Sequence, residues 1–175
     1  SKNKKKTTGL TAAEKENVKK AEADDRQRQI EESARKLAAT EKQSAFEIRQ
    51  AGIEATEEGF QKELDTVQLN YDKLIEANRL REEEWVKELQ KSSDLSFEQA
   101  HPDWKKQGLE RPKITSDDLS TDQKDYLAKY TAAANVYQTK ATADLYKNLL
   151  DQYKTYEQQR QAVAEKYAKQ RALIE

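Results

Sequence analysis

Cysteine and methionine are both missing from these 175 residues, and glycine and proline are scarce at four and two. Without cysteine there are no disulfides, no thiol chemistry and no cysteine-held metal, and the redox compartment stays open by this route. No apolar run approaches the roughly 20 residues needed to cross a bilayer, and no basic start followed by an apolar core marks a signal peptide. Charge of one sign is lacking too. With 32 basic against 33 acidic residues, neither nucleic acid nor an anionic membrane is indicated as a partner. There is no Gly-rich phosphate loop and no dinucleotide fingerprint. Because methionine is absent even at the start, the chain is expected to be a section of a longer polypeptide.

What is present is charge and helix-forming side chains. Charged residues make up 37% of the chain and apolar ones only 35%, too few large aliphatics for a rounded globule to offset its chain entropy. Glu, Lys, Gln and Arg interleaved with alanine and leucine is the composition of long helices and coiled coils. An all-α protein is expected, with each helix burying one stripe.

The basic lead-in, 1–10, whose residues 1–9 have nothing to bury, is expected to be a disordered, solvated end. Thr11 and Glu14 fit a capping box, so a first long helix is expected over 11–91. Between Phe46 and Trp85 apolar side chains recur at seven-residue steps. One line carries Phe46, Ile53, Phe60, Val67 and Leu74, and its companion carries Leu64, Tyr71 and Trp85. Gln50, Glu57, Asn78 and Arg81 interrupt this seam, which must be locally polar or shifted in register. Upstream, Ile30, Ala34, Leu37, Ala45 and Ile48 extend a three-four spacing. Gly52 and Gly59 each cost roughly 1 kcal/mol in a helix relative to alanine, so a bend is expected near 52–59.

Residues 92–119 break the helical pattern with His101-Pro102-Asp103, Gly108 and Arg111-Pro112, since proline lacks the ladder donor and disfavours helix before it. The stretch is long for a helix connection. A short helical turn is expected inside it, with Leu95, Phe97 and Trp104 tucked against a neighbouring helix. Ser120 and Gln123 form a second capping box, opening a second long helix over 120–175. Its early stripe is Leu119, Tyr126, Tyr130, Ala133 and Tyr137. Its late one is Tyr146, Leu149, Tyr153, Tyr156, Arg160, Val163, Tyr167 and Ile174, joined to the first through Ala141 and Leu145 as a stutter. The expected arrangement is an antiparallel coiled-coil hairpin of the two long helices. An acidic excess over 57–88 opposite a basic excess over 126–160 agrees with it. Pairing with further copies of the chain is the alternative.

Candidates for chemistry are few. His101 beside Asp103 has no nucleophile or metal partner in the pattern, and reads as a structural or solvated turn residue. Glu82, Glu83, Glu84 and Glu88 form an acidic patch that reads as a solvated helix face rather than a cation site. The tyrosines, interleaved with lysine after residue 125, could stack single-stranded nucleic acid, but on a seam they pack their rings and send the hydroxyl to water. No catalytic residue, cofactor or metal ligand is expected. The residues carrying the expectation are those of the packing seam: Phe46, Ile53, Phe60, Leu64, Val67, Tyr71, Leu74, Trp85, Tyr146, Leu149, Tyr153, Val163 and Tyr167.

The run EIRQAGIEATEEGFQKELDTVQLNYDKLIEANRLREEEW at 47–85 resembles the helical region of tape-measure proteins from tailed phages and prophages of Bacteroides-like bacteria. So do HPDWKKQGLERPKIT and ADLYKNLLDQYKTYEQQRQAVAEKYAKQRALIE further on. The resemblance covers about 45–175. It implies a structural role without catalytic residues: a helical polypeptide in the lumen of the growing tail, present in the bacterial cytoplasm during assembly and then in the virion tail, that limits tail length. Tail-tube and tail-assembly proteins would be its partners, along with further copies of itself. A cellular coiled-coil scaffold or tether that recruits other helices is the competing expectation.

Overall fold

The computed structural model describes residues 9–174. Most of the basic lead-in, 1–8, therefore lies outside the described residues, as does residue 175. Every regular element among the described residues is helical: α1 Ala12–Glu54, α2 Phe60–Ala100, the short α3 Trp104–Gln107, a single 3-10 turn Ser116–Asp118, and α4 Thr121–Ile174. The all-α class follows from the composition. The number of long helices does not.

Where one helix was expected over 11–91, the chain breaks at 55–59 and starts again, so the bend near Gly52 and Gly59 is a full interruption. Gly52 stays inside α1. Gly59 supplies the break, with φ at 153°, a value side-chain-bearing residues rarely adopt. The end of α1 is closed by side chains: the Thr56 hydroxyl donates to the Ile53 carbonyl at 2.6 Å, and Lys62 Nζ reaches the Glu54 and Thr56 carbonyls, each at 3.3 Å. A cation on orphan carbonyls at a helix C-terminus satisfies them and complements the dipole. Helix α2 then runs to Ala100, through the first residues of the expected connection.

Both expected N-caps hold their hydroxyl contact. Glu14 N donates to Thr11 Oγ1 at 3.1 Å. At α4 the box is reciprocal, Gln123 N to Ser120 Oγ at 3.1 Å and Ser120 N to Gln123 Oε1 at 3.0 Å.

The chain divides into two compact units, one comprising Ser1–Ala45 with Arg79–Leu127 and the other Phe46–Asn78 with Ala128–Glu175. In the first, α1 lies against the end of α2, and buried Ala21, Trp104 and Leu119 form its centre. In the second, buried Phe46, Leu69 and Ala134 do so, from the end of α1, the start of α2 and the body of α4. Neither centre is more than a narrow strip of apolar side chains, as a composition poor in aliphatics requires.

Candidate helix-packing interface

Charged and polar side chains of α1 reach across to α2 in both units. In the first unit Arg28 Nη1 donates to Asp94 Oδ2 at 2.7 Å, and Lys87 Nζ reaches Glu32 Oε1 at 3.1 Å. In the second, Arg49 Nη1 meets Asp72 Oδ2 at 2.5 Å, and Lys73 Nζ donates to Gln50 Oε1 at 2.8 Å. Glu32, Ala39, Phe46 and Ile53 stand seven residues apart, so the face that buries Phe46 also carries Glu32. This register leaves the expected upstream line on the other side of the helix. Ile30, Leu37 and Ile48 are 62%, 61% and 75% exposed.

In the second unit α2 and α4 lie side by side with opposite sense. Gln138 Nε2 donates to Gln68 Oε1 at 2.7 Å, Tyr71 Oη to Asn135 Oδ1 at 2.8 Å, and Asn78 Nδ2 to Thr131 Oγ1 at 3.0 Å. The α4 number falls as the α2 number rises. Phe60 meets Tyr146 edge-on with ring centroids 5.0 Å apart. The seam residues Ile53, Phe60, Leu64, Val67, Tyr71 and Leu74 are all half-buried, and Phe46 is buried. In the first unit the half-buried Trp85 packs edge-on to Tyr126 at 5.6 Å.

Three of the polar residues that interrupt the seam have partners across helices. Gln50 binds Lys73 and Asn78 binds Thr131, while the Arg81 guanidinium stands 5.1 Å from the centre of the Tyr126 ring. Glu57 falls in the chain break instead. On α4 the buried alanine is Ala134 rather than the expected Ala133. Leu69 and Ala21 join the buried set without lying on the expected lines. Both are legible only once the partner helix is known.

The connection is narrower than expected, 101–120, and is anchored by Trp104 and Arg111. Trp104 is buried, with Phe97 edge-on at 6.0 Å and the Arg111 guanidinium 4.8 Å from its ring centroid. Arg111 Nη2 donates to Asp24 Oδ2 at 2.7 Å and Asp25 Oδ1 at 2.5 Å on α1. Burial alone would lower the Arg111 pKa, but the hydrogen bonds to Asp24 and Asp25, together with the charges of Asp25 and Asp94, hold it above its usual value. Gly108 closes α3 at φ 70°, and Asn17 Nδ2 donates to the adjacent Lys106 carbonyl at 2.9 Å. Gln90 clasps the far end, donating to the Pro112 carbonyl and accepting from Ile114 N. Phe97 and Trp104 are tucked in as expected. Leu95 is not; it is exposed on α2.

Along the late α4 seam, Tyr146 meets Phe60 of α2 and Arg160 has Glu157 of its own helix 3.9 Å away. Leu149, Tyr153, Val163 and Tyr167, expected to pack, are exposed, as are Tyr156 and Ile174. The expected two-helix hairpin would have covered this stripe with the first long helix. That helix turns back at 55–59, so the described residues supply none of its length opposite 149–174.

The chemical candidates stay dispersed. His101 is exposed and tilted against Phe97, centroids 4.8 Å apart. Within the acidic patch Glu83 pairs with Arg79, and Glu88 accepts from Lys91 at 3.0 Å, which holds its carboxyl below the usual range. A shallow open groove between α2 and α4 is lined by Leu64, Asp65, Gln68, Gln138, Thr142 and Tyr146, with Asp65 its one charged side chain. Among the described residues no group of three or more His, Asp or Glu is placed to hold a metal ion, and no helix is long and apolar enough to cross a membrane.

These contacts define an all-α protein whose tertiary structure rests on helix-to-helix contact. No family model, curated protein or solved structure matches the chain.

Proposed function

We propose that this chain is a structural, non-catalytic segment of a phage or prophage tail tape-measure protein, acting through coiled-coil contact between helices. The observation that carries the reading is the late stripe of α4. It keeps a strict three-four spacing from Tyr146 to Ile174 while remaining exposed, as a surface meant for another helix does. Its partners in this reading are tail-tube and tail-assembly proteins or further copies of the chain, and it employs no cofactor. An extended helix rises 1.5 Å per residue, so a length-setting role requires α1 and α2 to open at 55–59 inside the tail. The test is an in-frame deletion of 46–90 in the encoding gene, with tail length measured by electron microscopy. Shortened tails are expected, and tails of unchanged length would remove the ruler role.

The chain break at 55–59 favours a second reading, a cellular scaffold that offers helix faces rather than length. Neighbouring genes separate the two. Tail-tube and baseplate genes alongside support the tail reading, and their absence supports the scaffold.

A further inference from the structure

The final stripe of α4 has a regular register and a self-complementary side-chain order. Tyr146, Tyr153, Arg160, Tyr167 and Ile174 occupy one heptad position, and Leu149, Tyr156, Val163 and Gln170 the other, with no break in the three-four alternation. A repeat of 3.5 residues keeps facing a neighbour only if that neighbour is a helix wound around it. We propose that a second copy of this chain covers the stripe, the two α4 ends pairing antiparallel about a point between Gln161 and Ala162. The proposal rests on the helix-contact reading above but not on the setting of a phage tail.

The orientation follows from charge. Pairing two copies parallel and in register stacks Arg160 on Arg160 at the seam and brings Lys166 beside Arg171 at its flank, two contacts between like charges. Turning one copy around removes both. Arg160 then faces Val163 and lays its aliphatic stem along it, keeping its head near Glu157 of its own helix, 3.9 Å away. In the same register Tyr156 meets Tyr167, Leu149 meets Ile174, and Tyr153 meets Gln170, each contact occurring twice by symmetry. The flanking Leu150 and Leu173, 51% and 88% exposed, lie beside Arg171 and Gln152 of the other copy at the edges of the seam. No flanking position sets like charges against each other.

The absence of cysteine makes the register directly readable. Leu149→Cys and Ile174→Cys are made separately in the full chain, mixed, and oxidised. About 37 Å of helix separates the two positions at 1.5 Å per residue, so only antiparallel pairing joins them. A mixed disulfide dimer is expected, with little homodimer from either protein alone. Unmodified protein should sediment at about twice its 20.2 kDa chain mass, and Tyr156→Glu with Val163→Glu should return it to monomer with unchanged helix content. Homodisulfides in place of the mixed species, or a monomer mass for the unmodified chain at high concentration, would overturn the proposal. Tail length after the 46–90 deletion reports separately on the function, since that deletion spares the stripe.

Discussion

In the connection, Trp104 is 5% exposed and lies beneath the Arg111 guanidinium. Along the end of α4, Tyr153 and Tyr156 are each 60% exposed, and Arg160 lies between them and Val163 with a side chain 71% exposed. The two regions contain similar chemistry, aromatic rings beside arginine, in opposite environments. What separates them is an opposing surface. Asp24 and Asp25 on α1 hold the guanidinium over the indole, and Phe97 closes the ring's edge. The α4 end has the periodicity of a packed helix and nothing described across from it. Burial is a property of the pair of surfaces, and side-chain content sets only what a surface can do when a partner arrives.

Four substitutions test this contrast between covered and uncovered surfaces. The largest effect is expected from Trp104→Ala, which empties the anchor of the connection and should destabilise the chain by about 3–5 kcal/mol, read from urea unfolding. A loss under 1 kcal/mol would show that the connection is not anchored by this ring. Next comes Gly108→Ala. Its left-handed backbone disfavours a side chain, and an added Cβ would come within 2.9 Å of the Asn17 side chain. A loss of about 1–2 kcal/mol is expected in the same measurement.

A smaller effect concerns pH. Hydrogen bonds from Lys87 and then Lys36 hold the Glu32 carboxyl below its ordinary value of 4.5. A carboxyl whose pKa is lower folded than unfolded contributes stability above its unfolded pKa and loses it as pH falls through the folded one. The difference in melting temperature between the natural chain and Glu32→Gln should therefore be present at neutral pH and disappear as acid protonates the carboxyl, at a pH below its ordinary value of 4.5. Both side chains face water, so added salt should shrink the difference as well. A difference that persists in acid would detach it from this ion pair. The smallest effect is expected on α4, where Val163→Ala should change the stability of the dilute, unpaired chain by no more than about 0.5 kcal/mol. A larger loss there would mean that the stripe is already covered within one copy.

Much of the helical layout was legible beforehand. Thr11 and Ser120 marked two helix starts because a hydroxyl before an apolar-periodic run has free backbone donors to satisfy. The proline pair located the connection, although α2 continues to Ala100 because no residue from Phe60 to Ala100 lacks a ladder donor or requires an unusual backbone. On the seven-residue line from Phe46 to Leu74, Phe46 is buried and Ile53, Phe60, Val67 and Leu74 are half-buried. The separate three-four line upstream was misleading at Ile30, Leu37 and Ile48, which are exposed. There α1 turns Arg28 and Glu32 towards α2 instead, since Asp94 and Lys87 stand opposite to receive them. The break at 55–59 was legible only as a weak point, because its closure depends on Lys62 reaching back to carbonyls across the turn.

By itself the sequence determined the class: too few aliphatic side chains for a rounded interior, helix-forming residues throughout, and apolar stripes at helical spacing. Local propensity and periodicity act within a few turns of one helix, and they are written in the order of residues. Which stripe is covered was decided only in the tertiary structure. Covering a stripe requires a second surface at the right distance and register, and the reversal at Gly59 delivered one to Phe46 and Phe60 while leaving Tyr153 and Val163 in water.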